Sequence, residues 1–313
     1  MYTKLHPAPY RGRFAPSPTG PLHFGSLVAA VGSYLQARAN NGEWLLRIED
    51  LDPPREQRGA ATHIIKTLDD YGFEWNGEVS YQSQRYELYQ NALEQLIDQN
   101  HCFACDCSRK KIQLHAESLN ISPHIYPGIC RDRSVSKVSP EAIRIKVLNQ
   151  HISFTDLLQG EQRAGLVDEV GDFVIRRADG LYAYQLAVAV DDTAQGISEV
   201  VRGSDLLSST SHQYYLQQLL NYPHPDYLHL PLVINREGEK LSKQSYARAI
   251  EIEDAAENLV SALQFLGQKP DLALLKGSVK DIWDWAIENW QVGSISPHSR
   301  SVLKSGHERY EQR

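Results

Sequence analysis

Long apolar runs are missing from this chain of 313 residues. Its longest aliphatic stretches, Leu27 to Val31 and Leu186 to Val190, fall far short of the ~20 consecutive apolar residues that a membrane-spanning helix needs, so no such helix is expected. The opening MYTKLHPAPY has no apolar core of a secretory signal, and the expected location is the cytoplasm. Cysteine is scarce: there are four, which excludes a disulfide-dense scaffold. Positive charge is not in excess either. The 32 Lys and Arg against 39 Asp and Glu leave a formal net charge of −7, so no global positive field draws in nucleic acid, and any RNA contact has to use a local basic patch. Internal repeats and low-complexity tracts are also absent. What remains is a globular composition, 42% hydrophobic and 23% charged, which excludes wholesale disorder over a length suited to about two domains.

Short apolar strands alternate with helical periods over the first hundred residues, the pattern of βαβ units in a parallel sheet. RGRF predicts a strand, residues 24–40 a helix, and EWLLRI a second strand after the turn Asn40-Asn41-Gly42. A helix over 56–70 would bury Ile64, Ile65, Leu68 and Tyr71 at three- and four-residue spacing. Ser83 is expected to cap the next helix, with Tyr86, Tyr89, Leu93, Leu96 and Ile97 on one face. Regularity breaks between 101 and 178, which predicts an insertion. It holds all four cysteines, a Tyr126-Pro127-Gly128 turn and a β-like segment from Ala142 to Val147. The α/β pattern returns at FVIRRADGLYAYQLAVAV and runs to YLHLPLVIN. The expected division is a Rossmann-type domain from 1–100 and 179–244, the insertion at 101–178, a helical subdomain at 245–297 and a loose polar tail at 298–313. In the helical part, Ile252, Leu259, Leu263 and Leu266 share a face, Gly267 is the stop, and Ser278 caps a Trp-rich helix.

Two segments carry phosphate chemistry. Arg13 to Ser26, RFAPSPTGPLHFGS, leads from a strand through a Pro/Gly turn into a helix start, where backbone amides and the helix dipole favour anions. There His23 can donate to a phosphoryl oxygen, and Gly25 lets a flat base lie against the backbone. Lys240-Leu241-Ser242-Lys243-Gln244 follows a strand and a turn, a loop suited to gripping a triphosphate. A third constellation, Cys105-Asp106-Cys107 followed by Cys130, has the spacing of a tetrahedral zinc site with one ligand open. Cys102, His101 and His124 are all chemically suited to close it.

Together, RFAPSPTGPLHFGS and KLSKQ resemble the HIGH and KMSKS signatures of class I aminoacyl-tRNA synthetases in the form used by glutamyl-tRNA synthetases. Ser26 stands where HIGH has its last His, and Leu241 and Gln244 replace the Met and final Ser of KMSKS. The resemblance implies catalytic roles for His23 and Lys243, with ATP held by His23, Gly25, Ser26, Lys240, Ser242 and Lys243. It also implies an amino-acid pocket of Arg13, Phe14, Ala15, Pro16, Ser17, Glu49, Tyr184 and Arg202. Arg13 and Arg202 would pair with the substrate's side-chain carboxylate, which favours glutamate over glutamine, and Glu49 would receive its ammonium. Ser17 and Tyr184 would add hydrogen bonds.

The resemblance narrows to the truncated glutamyl-Q tRNA(Asp) synthetases, whose insertion uses three Cys and a Tyr. That implies one structural zinc on Cys105, Cys107, Tyr126 and Cys130. Beyond Gln244 only residues 245–313 remain, too few for the large anticodon-binding region of glutamyl-tRNA synthetases. The implied activity is ATP-dependent activation of glutamate, with Mg²⁺, and its transfer to queuosine at the wobble position of tRNA(Asp), with a monomer as the expected state. Two other readings are a glutamate-adenylating ligase acting on another acceptor and a catalytically silent zinc-containing RNA-binding module. Arg109, Lys110 and Lys111 offer a local phosphate contact, although a solvated turn is the simpler expectation.

Overall fold

A computed structural model of the chain describes residues 9–138, 140–234, 248–298 and 300–301. In the first half, β1 (Arg11–Phe14), α1 (Phe24–Ala39) and β2 (Glu43–Ile48) stand where the apolar pattern predicts them, followed by α2 (Ala60–Asp70), β3 (Ser80–Tyr81) and α3 (Tyr86–Asp98). Two starts differ from expectation. Helix α2 begins four residues late, because Pro53 opens a single 3₁₀ turn and Gly59, in the left-handed region at φ 81°, resets the chain direction just ahead of Ala60. Ser83 does not cap α3. Its amide and hydroxyl both donate to Asp50, at 2.9 and 2.6 Å, and Arg85 occupies the cap position without its side chain bonding the helix amides.

The middle of the chain contributes β4 (Cys102–Cys105), α4 (Arg109–Ser118), β5 (Ala142–Ile145), β6 (His151–Asp156), β7 (Gly160–Gly165) and β8 (Val174–Arg176). Then follow α5 (Tyr184–Ala194), β9 (Glu199–Gly203), α6 (Leu207–Leu220), β10 (Asp226–Leu230) and β11 (Val233–Ile234). The helices α7 (Ala255–Phe265) and α8 (Val279–Asn289) and the short β12 (Arg300–Ser301) end the described chain. Gly267 stops the helical run at φ 75°, and a Cβ there would lie 2.0 Å from the carbonyl oxygen of Ser294, so only glycine fits. Ile252 is not on α7. It sits in a 3₁₀ turn ahead of the helix and is 48% exposed. Ser278 does cap α8, in a reciprocal capping box with Asp281.

Strands β1, β2 and β3 are parallel in that order, and β9, β10 and β6 are parallel, with β7 antiparallel at the far edge. The Ser198 amide, just ahead of β9, donates to the Arg11 carbonyl at 2.9 Å, so β9 runs beside β1. Strand order thus reverses between β1 and β9, the switch point at which parallel α/β sheets leave a crevice beyond their carboxyl ends. A separate antiparallel sheet, β4-β5-β8, lies within 101–178.

One core packs α1 against β1, β2, α7 and α8 around Tyr34, Trp44, Phe73 and Trp283. The indole of Trp283 also donates to the Tyr71 carbonyl at 2.9 Å, which fixes α8 to the turn after α2. A second core joins α3, α5 and α6 to β5, β6 and β8. Residues 142–176 therefore share their core with the helices of the parallel sheet. None of the described helices is long and apolar enough to cross a membrane.

Candidate active site and metal cluster

At the switch point lies a cavity of about 750 Å³, walled by the segment after β1, the first turn of α1, and the ends of β9 and β10. His23 occupies the N-cap of α1 with extended backbone, and its Nδ1 accepts from the Ser26 amide at 3.2 Å. In the neutral ring this puts the proton on Nε2, the atom that can donate to an anion at the helix start. Gly25 and Ser26 line the same wall. The turn Ala15 to Pro18 is held against the end of β2, where the Glu49 amide donates to the Pro16 carbonyl at 3.0 Å.

Opposite this wall stand the charged groups. Arg13 is buried and meets Asp192 with Nε at 3.1 Å and Nη2 at 3.3 Å. The wholly buried Arg47 also reaches Asp192, at 2.9 Å, and Glu49 at 3.2 Å. Burial opposes ionisation of Asp192, but the Arg13 and Arg47 guanidiniums outweigh it and hold its carboxyl below the usual carboxylate range. Glu49 is pushed the other way: burial raises its pKa, only partly offset by Arg47 and Arg13. Arg202 points its Nη1 at the Tyr184 hydroxyl, 3.4 Å away, and its Nη2 at Thr210 Oγ1, 2.8 Å away.

The second constellation lies in the insertion. Strand alternation sends Phe103 and Cys105 to one face of β4 and Cys102 to the other, where it joins the larger core. The Sγ atoms of Cys105, Cys107 and Cys130 all lie within 4.8 Å of one another, an arrangement able to hold a metal ion. Cys107 and Cys130 are 3.5 Å apart, and the Tyr126 hydroxyl is 3.4 Å from Cys105 and 3.8 Å from Cys107. The Cys130 amide donates to that phenol oxygen at 2.9 Å. Arg144 lies over the Tyr126 ring, 4.1 Å from its centre. Of the other thiol and imidazoles considered as ligands, His124 is exposed, and burial pushes the Cys102 thiol up to about 12.

Residues 10–273 match the family described as tRNA synthetases class I (E and Q), catalytic domain. Proteins named glutamyl-Q tRNA(Asp) synthetase are similar along nearly the whole chain. The one from Dechloromonas aromatica is 52% identical over 95% of this chain and 99% of its own length. That from Chromobacterium violaceum is 50% identical over 91% and 95%. The chain belongs to the glutamyl-Q tRNA(Asp) synthetase family. In shape it is similar to a glutamate tRNA ligase from Elizabethkingia meningosepticum, solved in complex with its amino acid. The TM-score is 0.79 over 95% of this chain and 67% of that one, at 23% identity, a likeness of fold.

Of the site residues that the family resemblance implies, Arg13, Phe14, Ala15, Pro16, Ser17, His23, Gly25, Ser26, Glu49, Tyr184 and Arg202 all line the one cavity. Lys240, Ser242 and Lys243 lie outside the described residues. The two ends of their segment are nonetheless tied to the cavity: Val233 lines it, Ala249 bridges to His23, and the Ile250 amide donates to the Leu22 carbonyl at 3.0 Å. Arg109, Lys110 and Lys111 are solvated as expected, in the exposed first turn of α4, capped by Ser108.

Sequence reasoning missed the partners beneath the pocket. Asp191 and Asp192 are buried acids that continue the apolar run YQLAVAV, and that continuation is itself a readable signal of paired buried charge. Asp191 collects the Gln82 amide at 2.8 Å, the Tyr89 hydroxyl at 2.7 Å and Arg85 Nε at 2.5 Å. His229, alone in the apolar strand YLHLPLV, gave a similar hint.

Proposed function

We propose that this chain activates glutamate with ATP and transfers it to queuosine at the wobble position of the anticodon of tRNA(Asp). One observation carries the reading: a single crevice at the switch point brings a cationic and an anionic side chain for an amino acid, Arg202 and Glu49, to the same place as a helix N-terminus capped by a histidine. The relatives' names supply the acceptor. In the first step a carboxylate oxygen of glutamate attacks the α-phosphorus of ATP, and pyrophosphate leaves. His23 would donate from Nε2 to a phosphoryl oxygen, with the α1 N-terminus, Gly25 and Ser26 beside the nucleotide. Lys240, Ser242 and Lys243, whose flanks are tied to this wall, would neutralise the phosphates, with Mg²⁺ as counter-ion. Glu49 would take the ammonium. Arg13 and Arg202 would hold the substrate's side-chain carboxylate, Ser17 and Tyr184 would add hydrogen bonds, and Phe14, Ala15 and Pro16 would line the pocket. In the second step a ring hydroxyl of queuosine attacks the acyl carbonyl, AMP leaves, and the hydroxyl proton is lost.

The cysteine cluster we assign to one zinc ion on Cys105, Cys107, Cys130 and Tyr126. Tetrahedral zinc with bonds of about 2.3 Å to sulfur and 2.0 Å to oxygen has edges of about 3.8 Å between sulfurs and about 3.5 Å from sulfur to oxygen. The separations of 3.5, 3.4 and 3.8 Å fit those edges. Bound there, zinc would tie β4 to the 126–130 turn as a structural link. Residues 101–178 would then be the acceptor-binding insertion, whose β6–β7 hairpin extends the sheet of a Rossmann-type domain of 1–100 and 179–244, with a helical subdomain after it, and the chain would act as a monomer in the cytoplasm.

Labelled glutamate and ATP offered to total tRNA with and without queuosine test the reading. Label is expected only in the queuosine-bearing sample and only on tRNA(Asp). Label on the 3′ end of tRNA(Glu) would make the chain a minimal glutamyl-tRNA synthetase instead.

A further inference from the structure

Arg13 and Arg202 face the same cavity, but they are held in opposite ways. Arg13 is clamped directly by a carboxylate, that of Asp192, which it shares with Arg47. Among the described residues Arg202 makes no ion pair. Its Nε donates at 3.0 Å to Nε2 of His229, directly across from it in the register of β9 and β10. That nitrogen must therefore be an acceptor, and the ring proton must sit on Nδ1, 2.6 Å from Asp156 Oδ2. Asp156 is held in turn by three amides: that of His229 at 3.1 Å, Leu158 at 3.0 Å and Gln159 at 2.8 Å. Asp156, His229 and Thr210 are all essentially inaccessible to solvent. Burial, with the nearby Arg202 and Arg13 guanidiniums, lowers the His229 pKa despite the opposing pull of Asp156, which is consistent with a neutral ring.

We propose that Asp156 and His229 are positioning residues for Arg202. A carboxylate is an acceptor only, so Asp156 permits one imidazole tautomer, and that tautomer offers Arg202 a lone pair but no negative charge. The guanidinium is oriented without being neutralised, and its full charge is left for a carboxylate of the amino acid. Three neighbouring strands, β6, β10 and β9, each supply one member. The first belongs to the segment 101–178, so the pocket's arginine is aligned from a strand of that segment.

This inference rests on the proposed glutamate activation, and glutamate-dependent exchange of pyrophosphate into ATP tests it in His229→Leu, His229→Gln and Asp156→Asn. The leucine variant is expected to raise KM for glutamate tenfold or more and leave KM for ATP within twofold. Glutamine, whose side-chain oxygen can stand near Nε2, should recover most of the loss, and Asp156→Asn should fall between. The double variant Arg202→Ala/His229→Leu should be no worse than Arg202→Ala alone, since His229 acts through Arg202. Unchanged KM for glutamate, equal losses for both substrates, or additive losses would each overturn the inference. If His229→Leu does not fold, the glutamine and asparagine variants carry the same comparison. Wild-type protein without any exchange would instead overturn the proposed function. In that case the ring ¹⁵N signals of His229 still decide the inference, because a proton on Nε2 contradicts it whatever the reaction.

Discussion

At the scale of single residues, the pocket is built from charges that would be untenable alone. Asp192 serves both Arg13 and Arg47, and its replacement by Ala would leave two buried guanidiniums short of a counter-charge. Breaking such a buried pair costs about 3–5 kcal/mol, a loss that denaturant unfolding of Asp192→Ala should show. The sign with pH follows from its depressed pKa. The stabilisation is complete above the unfolded value of about 3.9 and is lost only as pH falls through the lower folded one. Glu49 has the opposite bias. With its pKa raised by burial, it takes up a proton at a pH where an ordinary glutamate, near about 4.3, is still charged. A neutral Glu49 has no charge to offer an ammonium. KM for glutamate is therefore expected to climb as pH falls, starting above the usual carboxylate range, while KM for ATP stays flat. A flat profile for both substrates would remove Glu49 from the ammonium site.

At the scale of elements, the behaviour of the four cysteines follows from strand parity. Cys102 and Cys105 are both in β4, three residues apart, and so face opposite sides. Cys102→Ser should retain about one metal ion per chain, whereas Cys130→Ser should lose it, as elemental analysis of the purified variants would show. The reverse result would overturn the ligand choice. Most elements were legible because their apolar spacing is local: RGRF, EWLLRI, the helix from Phe24 and the Ser278 cap all depend on near neighbours. Those that came out differently have causes both distant and local. Ser83 has the chemistry of a cap, but Asp50, far off in sequence, takes its donors. Ile252 has helical spacing, yet the chain is still in a 3₁₀ turn there.

At the scale of the whole molecule, the acceptor is the open question that experiment can close. An anticodon loop brought directly to the crevice needs no second domain to hold it, and its unpaired bases can be read by stacking and hydrogen bonds. An isolated queuosine-bearing anticodon stem-loop of tRNA(Asp) is expected to accept glutamate nearly as well as the full tRNA. Its affinity should fall as salt is added, because some phosphates must be neutralised by a protein of net charge −7 through local cations alone. A stem-loop that is inert beside an active full tRNA would refute that mode of binding. The sequence by itself determined the class of fold, the family and the three thiols that cluster, through local periodicity and contiguous motifs, and its family resemblance named eleven of the residues that wall the cavity. Only the tertiary structure decided how the two arginines differ. The partners of Arg13 and Arg202 come from α5, β10 and β6, and no spacing along the chain records that the Asp192 carboxylate clamps one directly while Asp156, through His229, aims the other and leaves its charge whole.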